Sequence, residues 1–327
     1  MVGVMRAVVV NEPGGPEALT VTELPDPEPA EGEVVVRVTA AGVNRADLLQ
    51  RRGFYDPPPG ATPVLGLEAA GQVAAVGAGV DDSWAGRPVV ALLAGGGYAE
   101  LVAVPVGQVA PVPDGLDEVA AGGLMETAAT VWSNVFMTAG LREGELLLVH
   151  GGASGIGTTA IQMARAAGAR VVVTVGTEEK AQVCRDLGAE LAIVYREQDF
   201  GDVLGEQGLQ PDVILDIMGA KYLDANVRAL ATNGRLVVIG MQGGVKAELD
   251  LGRLLTKRAS VTATSLRARP VAEKSAIVAD LVEHVWPWVA DGRVRPLVHA
   301  TFALDEVADA HQVLEDSSHV GKVVLRP

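Results

Sequence analysis

A glycine-rich turn carries the first recognisable chemistry in the sequence. The apolar run Leu146-Leu147-Leu148-Val149-His150 leads into Gly151-Gly152-Ala153-Ser154-Gly155-Ile156-Gly157, and a helical pattern follows from Thr158 to Ala167. Within it, Gly155-x-Gly157-x-x-Ala160 has the spacing of a dinucleotide fingerprint. A pyrophosphate is held by backbone N–H groups at a helix N-terminus, and small residues there let the backbone approach it. A glycine-rich turn can also join any strand to any helix, but here further strand and helix patterns follow, as the fingerprint requires.

The end of the second strand of such a unit decides which dinucleotide fits. An acidic residue about 20 positions after the glycines would hold the ribose hydroxyls of NAD. Here Val175 runs into Gly176-Thr177, with no carboxylate at the strand end to repel a 2′-phosphate. Lys180, one turn into the next helix, could neutralise that phosphate. NADP is therefore favoured over NAD, provided that Glu178 and Glu179 point away. Lys180 has a second reading as a solvated helix lysine. Tyr195, at the end of the third strand, either lies against the adenosine or is half-buried packing.

Other chemistries lack their residues. A catalytic zinc in an alcohol dehydrogenase needs a cysteine, a histidine and a further ligand. The chain has one cysteine, Cys184, and its histidines His150, His284, His299, His311 and His319 show no metal-ligand spacing. Cys184 falls in a helix, where a small buried thiol is the ordinary explanation. No Gly-x-Ser-x-Gly elbow supports a serine hydrolase. Hydride transfer without metal remains.

The elements that must position these residues change character along the chain. From Met1 to about Val119, short β-branched runs (Arg6–Val10, Glu33–Thr39, Gly71–Val76, Pro88–Leu93) alternate with glycine- and proline-rich turns, which predicts an antiparallel barrel-like domain. Beyond it, strands at Leu146–His150, Arg170–Val175, Leu191–Tyr195, Asp212–Ile217 and Arg235–Met241 alternate with helical patterns, which predicts βαβ units and a parallel sheet. A long helix at Val271–Ala290 and strands at Leu297–Phe302 and Gly321–Leu325 make a tail too small to be a domain. The tail is expected to fold back onto the barrel. The domains are then 1–120 with 267–327, and an inserted 121–266.

Composition bounds the partners. The 327 residues are 49% hydrophobic and 20% charged, which excludes a mainly disordered chain. Twenty-six lysines and arginines stand against 41 acidic residues, a net charge of −15 that repels nucleic acid and anionic membrane. No stretch is long and apolar enough to cross a bilayer, and the apolar start Met1–Val10 is too short for a signal sequence. A lone cysteine rules out an internal disulfide, so the expectation is a cytoplasmic protein.

Several segments together resemble a known family. Asn44-Arg45-Ala46-Asp47-Leu48, Gly53-Phe54-Tyr55-Asp56-Pro57-Pro58-Pro59-Gly60, Leu65-Gly66-Leu67-Glu68-Ala69-Ala70-Gly71, the loop Gly152 to Gly157 and Ser265-Leu266-Arg267-Ala268-Arg269 are similar to the zinc-free quinone oxidoreductases of the medium-chain dehydrogenase/reductase superfamily. Within that group the chain most resembles the tumour-suppressor-induced quinone reductase branch, related to zeta-crystallin, and the likeness spans the whole chain. Zinc-containing members carry Gly-His-Glu where this chain has Gly66-Leu67-Glu68, and the usual Gly-Asp-Arg-Val appears as Gly86-Arg87-Pro88-Val89.

The resemblance implies a GroES-like β-barrel catalytic domain, an inserted Rossmann domain, NADPH in the cleft between them and a homodimer formed through Rossmann sheet edges near Ser260–Leu266. It further implies that Ser154, Gly155, Ile156 and Gly157 bind the pyrophosphate. Gly176, Thr177 and Lys180 would take the adenosine phosphate side and Tyr195 the adenine. Thr130, the segment Ile239, Gly240, Met241, Gln242, and Thr264, Ser265, Leu266 would surround the nicotinamide. Asn44 and Tyr55 would line the quinone pocket.

Tyr55 either donates a proton to the reduced oxygen or packs on the cofactor without chemistry. Asn44 either orients an acceptor oxygen or satisfies its own backbone. Arg267 and Arg269 either rim the cleft or form a solvated surface pair. Two other functions fit the same residues. One is an NADPH-dependent enoyl-thioester reductase, in which Tyr55 protonates the α-carbon and Arg51 and Arg52 either help hold a phosphopantetheine arm or are solvated. The other is a non-catalytic NADPH-binding or structural protein.

Overall fold

A computed structural model describes residues 3–327; the first two residues of the apolar start Met1–Val10 lie outside them. Fifteen strands follow one another among the described residues: β1 (Val4–Val10), β2 (Leu19–Pro25), β3 (Glu33–Val43), β4 (Glu68–Val76), β5 (Pro88–Leu92), β6 (Leu101–Pro105), β7 (Val109–Pro111), β8 (Leu146–His150), β9 (Arg170–Val175), β10 (Leu191–Val194), β11 (Val213–Asp216), β12 (Arg235–Val238), β13 (Ser260–Ala263), β14 (Val298–Ala303) and β15 (Lys322–Arg326). The helices that matter for the site are α1 (Arg45–Arg51), α2 (Glu118–Gly122), α3 (Met125–Val131), α4 (Gly155–Ala166), α5 (Glu178–Asp186), α6 (Leu251–Lys257) and α7 (Val307–Glu315).

The chain divides into two compact units, residues 1–129 with 266–327, and residues 130–265. The first division falls after Ala129, within α3, rather than at residue 120; α2, which spans the expected boundary, packs on β3 and β4. An added Cβ on Gly122 would stand 2.5 Å from the Cβ of Ala40 in β3, so only glycine lets that helix approach the strand.

In the first unit a seven-stranded sheet runs β14-β15-β3-β4-β5-β7, with β6 also on β3. Its pairs are antiparallel except β14 with β15, which are parallel and joined through α7. Register shifts between Val35 and Val36 and between Val38 and Ala40 bend β3, so that one long strand serves three neighbours. Valines on the inner face, Val34, Val36, Val89 and Val323 among them, form its core with Leu48, Tyr98 and Leu304. Strands β1 and β2 make a separate ribbon.

In the second unit six parallel strands lie in the order β10-β9-β8-β11-β12-β13. The order turns outward in both directions from β8 and β11. In such a doubly wound sheet the crevice at the carboxyl ends of the two strands flanking that point is where ligands bind. All five residues of β8 are buried, which accounts for its unbroken apolar run. β8 and β9 end where expected and β10 and β11 one residue earlier, but β12 stops at Val238 rather than Met241; α4 begins one turn earlier than Thr158, at Gly155, because Ser154 caps it.

Candidate functional site

The turn from β8 into α4 is built by close approach. Gly151 has a φ of +76°, and a Cβ there would meet the Ile217 side chain at 2.7 Å, so the ends of β8 and β11 converge on this glycine. A Cβ on Gly152 would stand 2.5 Å from that of Val173, and one on Gly157 would stand 2.4 Å from the Gly151 oxygen. Ser154 accepts from the Gly157 N–H at 3.0 Å and donates to the Gly151 carbonyl at 2.8 Å. The start of α4 is thereby held tightly against the ends of β8 and β9, with the helix N-terminus opening at the partly exposed Gly155 and Ile156. These dimensions fit a dinucleotide pyrophosphate.

At the end of β9, Thr177 caps α5, its hydroxyl accepting from the Lys180 N–H. A Cβ on Gly176 would meet the Tyr195 hydroxyl at 3.1 Å and Arg196 Nε at 3.8 Å. Burial lowers the Lys180 pKa, and the Arg196 charge lowers it further. Arg196 thus lies beside Gly176, near enough to Lys180 for the two charges to repel. Glu178 pairs with Arg185 down the helix, so its carboxylate is directed to that partner. Arg196 was not anticipated; its signal in the sequence is a basic residue directly after the third strand, whose end adjoins Gly176. Tyr195 is 44% exposed, with its backbone N–H still donating to Val175.

The ends of β11 and β12 complete this edge of the second unit. The Gln242 N–H donates to the Ile217 carbonyl at 3.1 Å, and a Cβ on Gly240 would stand 2.9 Å from the same oxygen, which fixes Ile239–Gln242 over the end of β11. Met241 is exposed. Asp216, ending β11, accepts from the Met218 and Gly219 N–H groups, and burial lifts its pKa to about 6. Asn134 joins two residues expected at the nicotinamide: its Nδ2 donates to the Thr130 carbonyl at 2.8 Å and its Oδ1 accepts from Thr264 at 2.5 Å. Ser265 follows on the surface, whereas Leu266 is buried and belongs to the first unit.

In the first unit Asn44 is buried and its amide is committed. Nδ2 donates to Glu68 Oε1 at 3.0 Å and to the Gly42 carbonyl at 3.3 Å, while Oδ1 accepts from Lys322 Nζ at 2.7 Å. With both N–H donors used, it has none left to orient an acceptor oxygen; the expectation of that role is corrected to a framework one. Asp47, fully buried beside it, accepts from the N–H groups of Asn44 and Gly66 and from Tyr98, and burial raises its pKa to about 6.

Two arginines are not solvated. Arg51 is sealed from solvent, pairing with Glu315 and bonding the Gly14 carbonyl and His311, so it is unavailable to a ligand arm. Arg52 is exposed and pairs with the same Glu315 at 2.6 Å. Arg267 is 4% exposed and lies over the ring of half-buried Tyr55. A sequence window reads such arginines as surface residues, since their partners lie hundreds of positions away.

Among the described residues no group of three or more histidine, cysteine or carboxylate side chains is gathered to hold a metal ion. Cys184 is buried, and burial pushes its thiol up to about 12. No helix among the described residues is long and apolar enough to cross a membrane.

The sequence pattern of the alcohol dehydrogenase GroES-like domain matches residues 30–114, and that of the zinc-binding dehydrogenase family matches residues 155–283. The quinone oxidoreductase of Lama guanicoe is 33% identical over 98% of this chain and 97% of its own length. The crystal structure of Escherichia coli quinone oxidoreductase complexed with NADPH superposes with a TM-score of 0.86 at 30% identity, covering 99% of this chain and all of that one. A phenolphthiocerol/phthiocerol polyketide synthase protein of Mycobacterium tuberculosis is 32% identical over 99% of this chain, which spans only 15% of that protein's length. The chain is an α/β oxidoreductase of the medium-chain dehydrogenase/reductase superfamily, with quinone oxidoreductases among its relatives.

Proposed function

We propose that the protein is an NADPH-dependent quinone oxidoreductase that works without a metal ion. The observation that carries this reading is the pair of cations, Lys180 and Arg196, at the β9 end, where Glu178 is drawn off to Arg185 and the Glu179 carboxylate is bonded to the Thr177 hydroxyl, alongside the glycine turn of Ser154–Gly157. The likeness to quinone oxidoreductases supports the acceptor class.

Bound at this turn, a nicotinamide dinucleotide would supply the hydride. The α4 N-terminus and Ser154 would hold its pyrophosphate, and Thr177, Lys180, Arg196 and Tyr195 the adenosine phosphate. Thr130, Ile239–Gln242, Thr264 and Ser265 would flank the nicotinamide. A quinone that accepts a hydride needs one proton to become the hydroquinone, and Tyr55 is our candidate donor. Its O–H bond breaks as the new O–H bond forms, leaving a phenolate that water reprotonates. Asn44 holds α1 and β4 in place. Proximity and orientation then carry most of the rate.

A second reading, reduction of an enoyl thioester, is favoured by the likeness to a polyketide synthase, because polyketide chains are built as thioesters. The deciding experiment follows the loss of nicotinamide absorbance with NADPH and phenanthrenequinone, duroquinone or crotonyl-coenzyme A. Turnover confined to the quinones upholds the first reading. Turnover confined to the thioester replaces it with the second, and NADPH binding without turnover favours a binding role.

We further infer a homodimer through the edge of the parallel sheet. Strand β13 is the last in that sheet, and the preceding α6 shows Leu251 and Leu255 69% and 79% exposed, one helical turn apart. We also infer a cytoplasmic setting, from the chain's single, buried cysteine.

A further inference from the structure

We propose that Arg267 is a positioning residue that fixes the place of the Tyr55 hydroxyl and strengthens it as an acid; the proposal deepens, and rests on, the reading of Tyr55 as proton donor. The three arms of the guanidinium reach three separate segments. Nε donates to the Ala94 carbonyl at 2.8 Å, Nη2 to Gln50 Oε1 of α1 at 2.8 Å, and Nη1 to the Tyr55 carbonyl at 3.2 Å. Gln50 in turn donates to the Pro63 carbonyl at 2.8 Å. The loop from α1 to β4 has no regular structure of its own, and one of these bonds anchors the Tyr55 backbone directly.

The same side chain acts on the ring. Its guanidinium carbon stands 5.2 Å from the centroid of the Tyr55 ring, within the range at which a cation and an aromatic face attract. The charged groups that act on the phenol are Arg267, Glu126 and Asp47. Burial and the two carboxylates favour the neutral phenol, and Arg267 opposes them. Asp47 and Asp56 act on Arg267 from the carboxylate side, and Lys274, whose Nζ donates to the Arg267 carbonyl, from the cation side. When Tyr55 gives up its proton, the negative charge left on the phenolate forms in the field of a cation already stacked over its ring. No solvent has to reorganise to meet it, which is how a preorganised charge assists proton transfer.

The test reads the phenol directly. The ultraviolet difference between wild type and Tyr55→Phe, followed through an alkaline titration, isolates the ionisation of Tyr55. Repeated on Arg267→Met, it should place that ionisation about one pH unit higher, since a neighbouring cation is gone. Arg267→Gln, neutral but able to hydrogen bond, serves the same purpose if the methionine variant does not fold. Arg267→Lys, which keeps the charge and loses the fork, should leave the ionisation near its wild-type pH while kcat for phenanthrenequinone falls about tenfold.

The alkaline limb of kcat against pH should vanish in Tyr55→Phe and move upward in Arg267→Met. Ionisation that stays in place in the neutral variants overturns the acid-strengthening role and leaves Tyr55 as donor. An Arg267→Lys protein with wild-type kcat overturns the positioning role. An alkaline limb retained in Tyr55→Phe overturns the reading of Tyr55 itself, and this proposal with it.

Discussion

Lys322 Nζ stands 2.6 Å from Glu68 Oε1, and the two side chains are 4% and 0% exposed. The ammonium also donates to Asn44 Oδ1 and the Val43 carbonyl, and Glu68 Oε2 accepts from the Glu126 N–H, so every charge in this buried cluster has partners. Such a pair adds little net stability, but breaking it by removing one partner strands a charge. Lys322→Met should lower the urea unfolding free energy of the first unit by about 3–5 kcal/mol, and adding Glu68→Gln should recover much of that loss. Equal stability of Lys322→Met and wild type would mean that the pair is not sealed from water.

Cofactor binding should be lost by one methyl group. Gly157→Ala places a Cβ 2.4 Å from a backbone oxygen, and backbone cannot yield as a flexible side chain can. NADPH affinity, read by fluorescence titration, is expected to fall at least about tenfold, a cost of about 1.4 kcal/mol.

Lys180→Ala and Arg196→Ala should separate the two nicotinamide cofactors. Each is expected to weaken NADPH about tenfold, by loss of a charge-assisted contact to a phosphate, and to change NADH by less than about twofold. Equal losses for both cofactors would remove the 2′-phosphate from this corner.

Two buried histidines should each weaken the folded state as the pH falls below neutrality. Burial lowers His150 to about 4, with a hydrogen bond to Asn226 opposing it, and burial together with Arg51 lowers His311 to about 3. Both stay neutral in the folded chain and take protons when it unfolds, so their contribution is whole above pH ~6.5 and is lost as pH falls toward their folded values. Asp47 and Asp216, raised to about 6 by burial, act in the opposite sense between about pH 4 and 6, where the folded chain keeps protons that the unfolded chain releases. The difference between wild type and His150→Gln isolates one histidine. It should change by about 3 kcal/mol from pH 6.5 down to 4, to the disadvantage of the wild type.

Leu251→Glu with Leu255→Glu should convert a dimer into monomers in sedimentation velocity, because two carboxylates would replace apolar surface beside β13. A monomeric wild type would dispose of the edge-to-edge assembly.

What could be read from the sequence follows from the range of each interaction. The parallel strands announce themselves as apolar runs because both faces of β8 and β9 are buried, and the β8–α4 turn is written in consecutive residues. The roles of Asn44, Arg51 and Arg267 could not be read that way. Asn44 meets Lys322 across 278 positions, Arg51 meets Glu315 across 264, and Arg267 meets Gln50 across 217. Local composition says only that such residues are polar, and polar residues are ordinarily at the surface. Arg196 was within reach of sequence reasoning, since it follows Tyr195 directly, but its value depends on β10 lying beside β9.

The position of β15 bears on how the molecule is made. That strand lies inside its sheet, with β14 on one side and β3 on the other, pairing Val323 with Val43 and Leu325 with Ala41. A ribosome delivers β3 early and β15 long afterwards, so the inner sheet stays open and Glu68 waits without its ammonium in the interval. Residues 130–265 are contiguous and emerge complete before that interval closes. The unit that is begun first is therefore completed only after the inserted one, and a nascent chain halted a few residues short of Lys322 would expose an open sheet to whatever chaperones attend it.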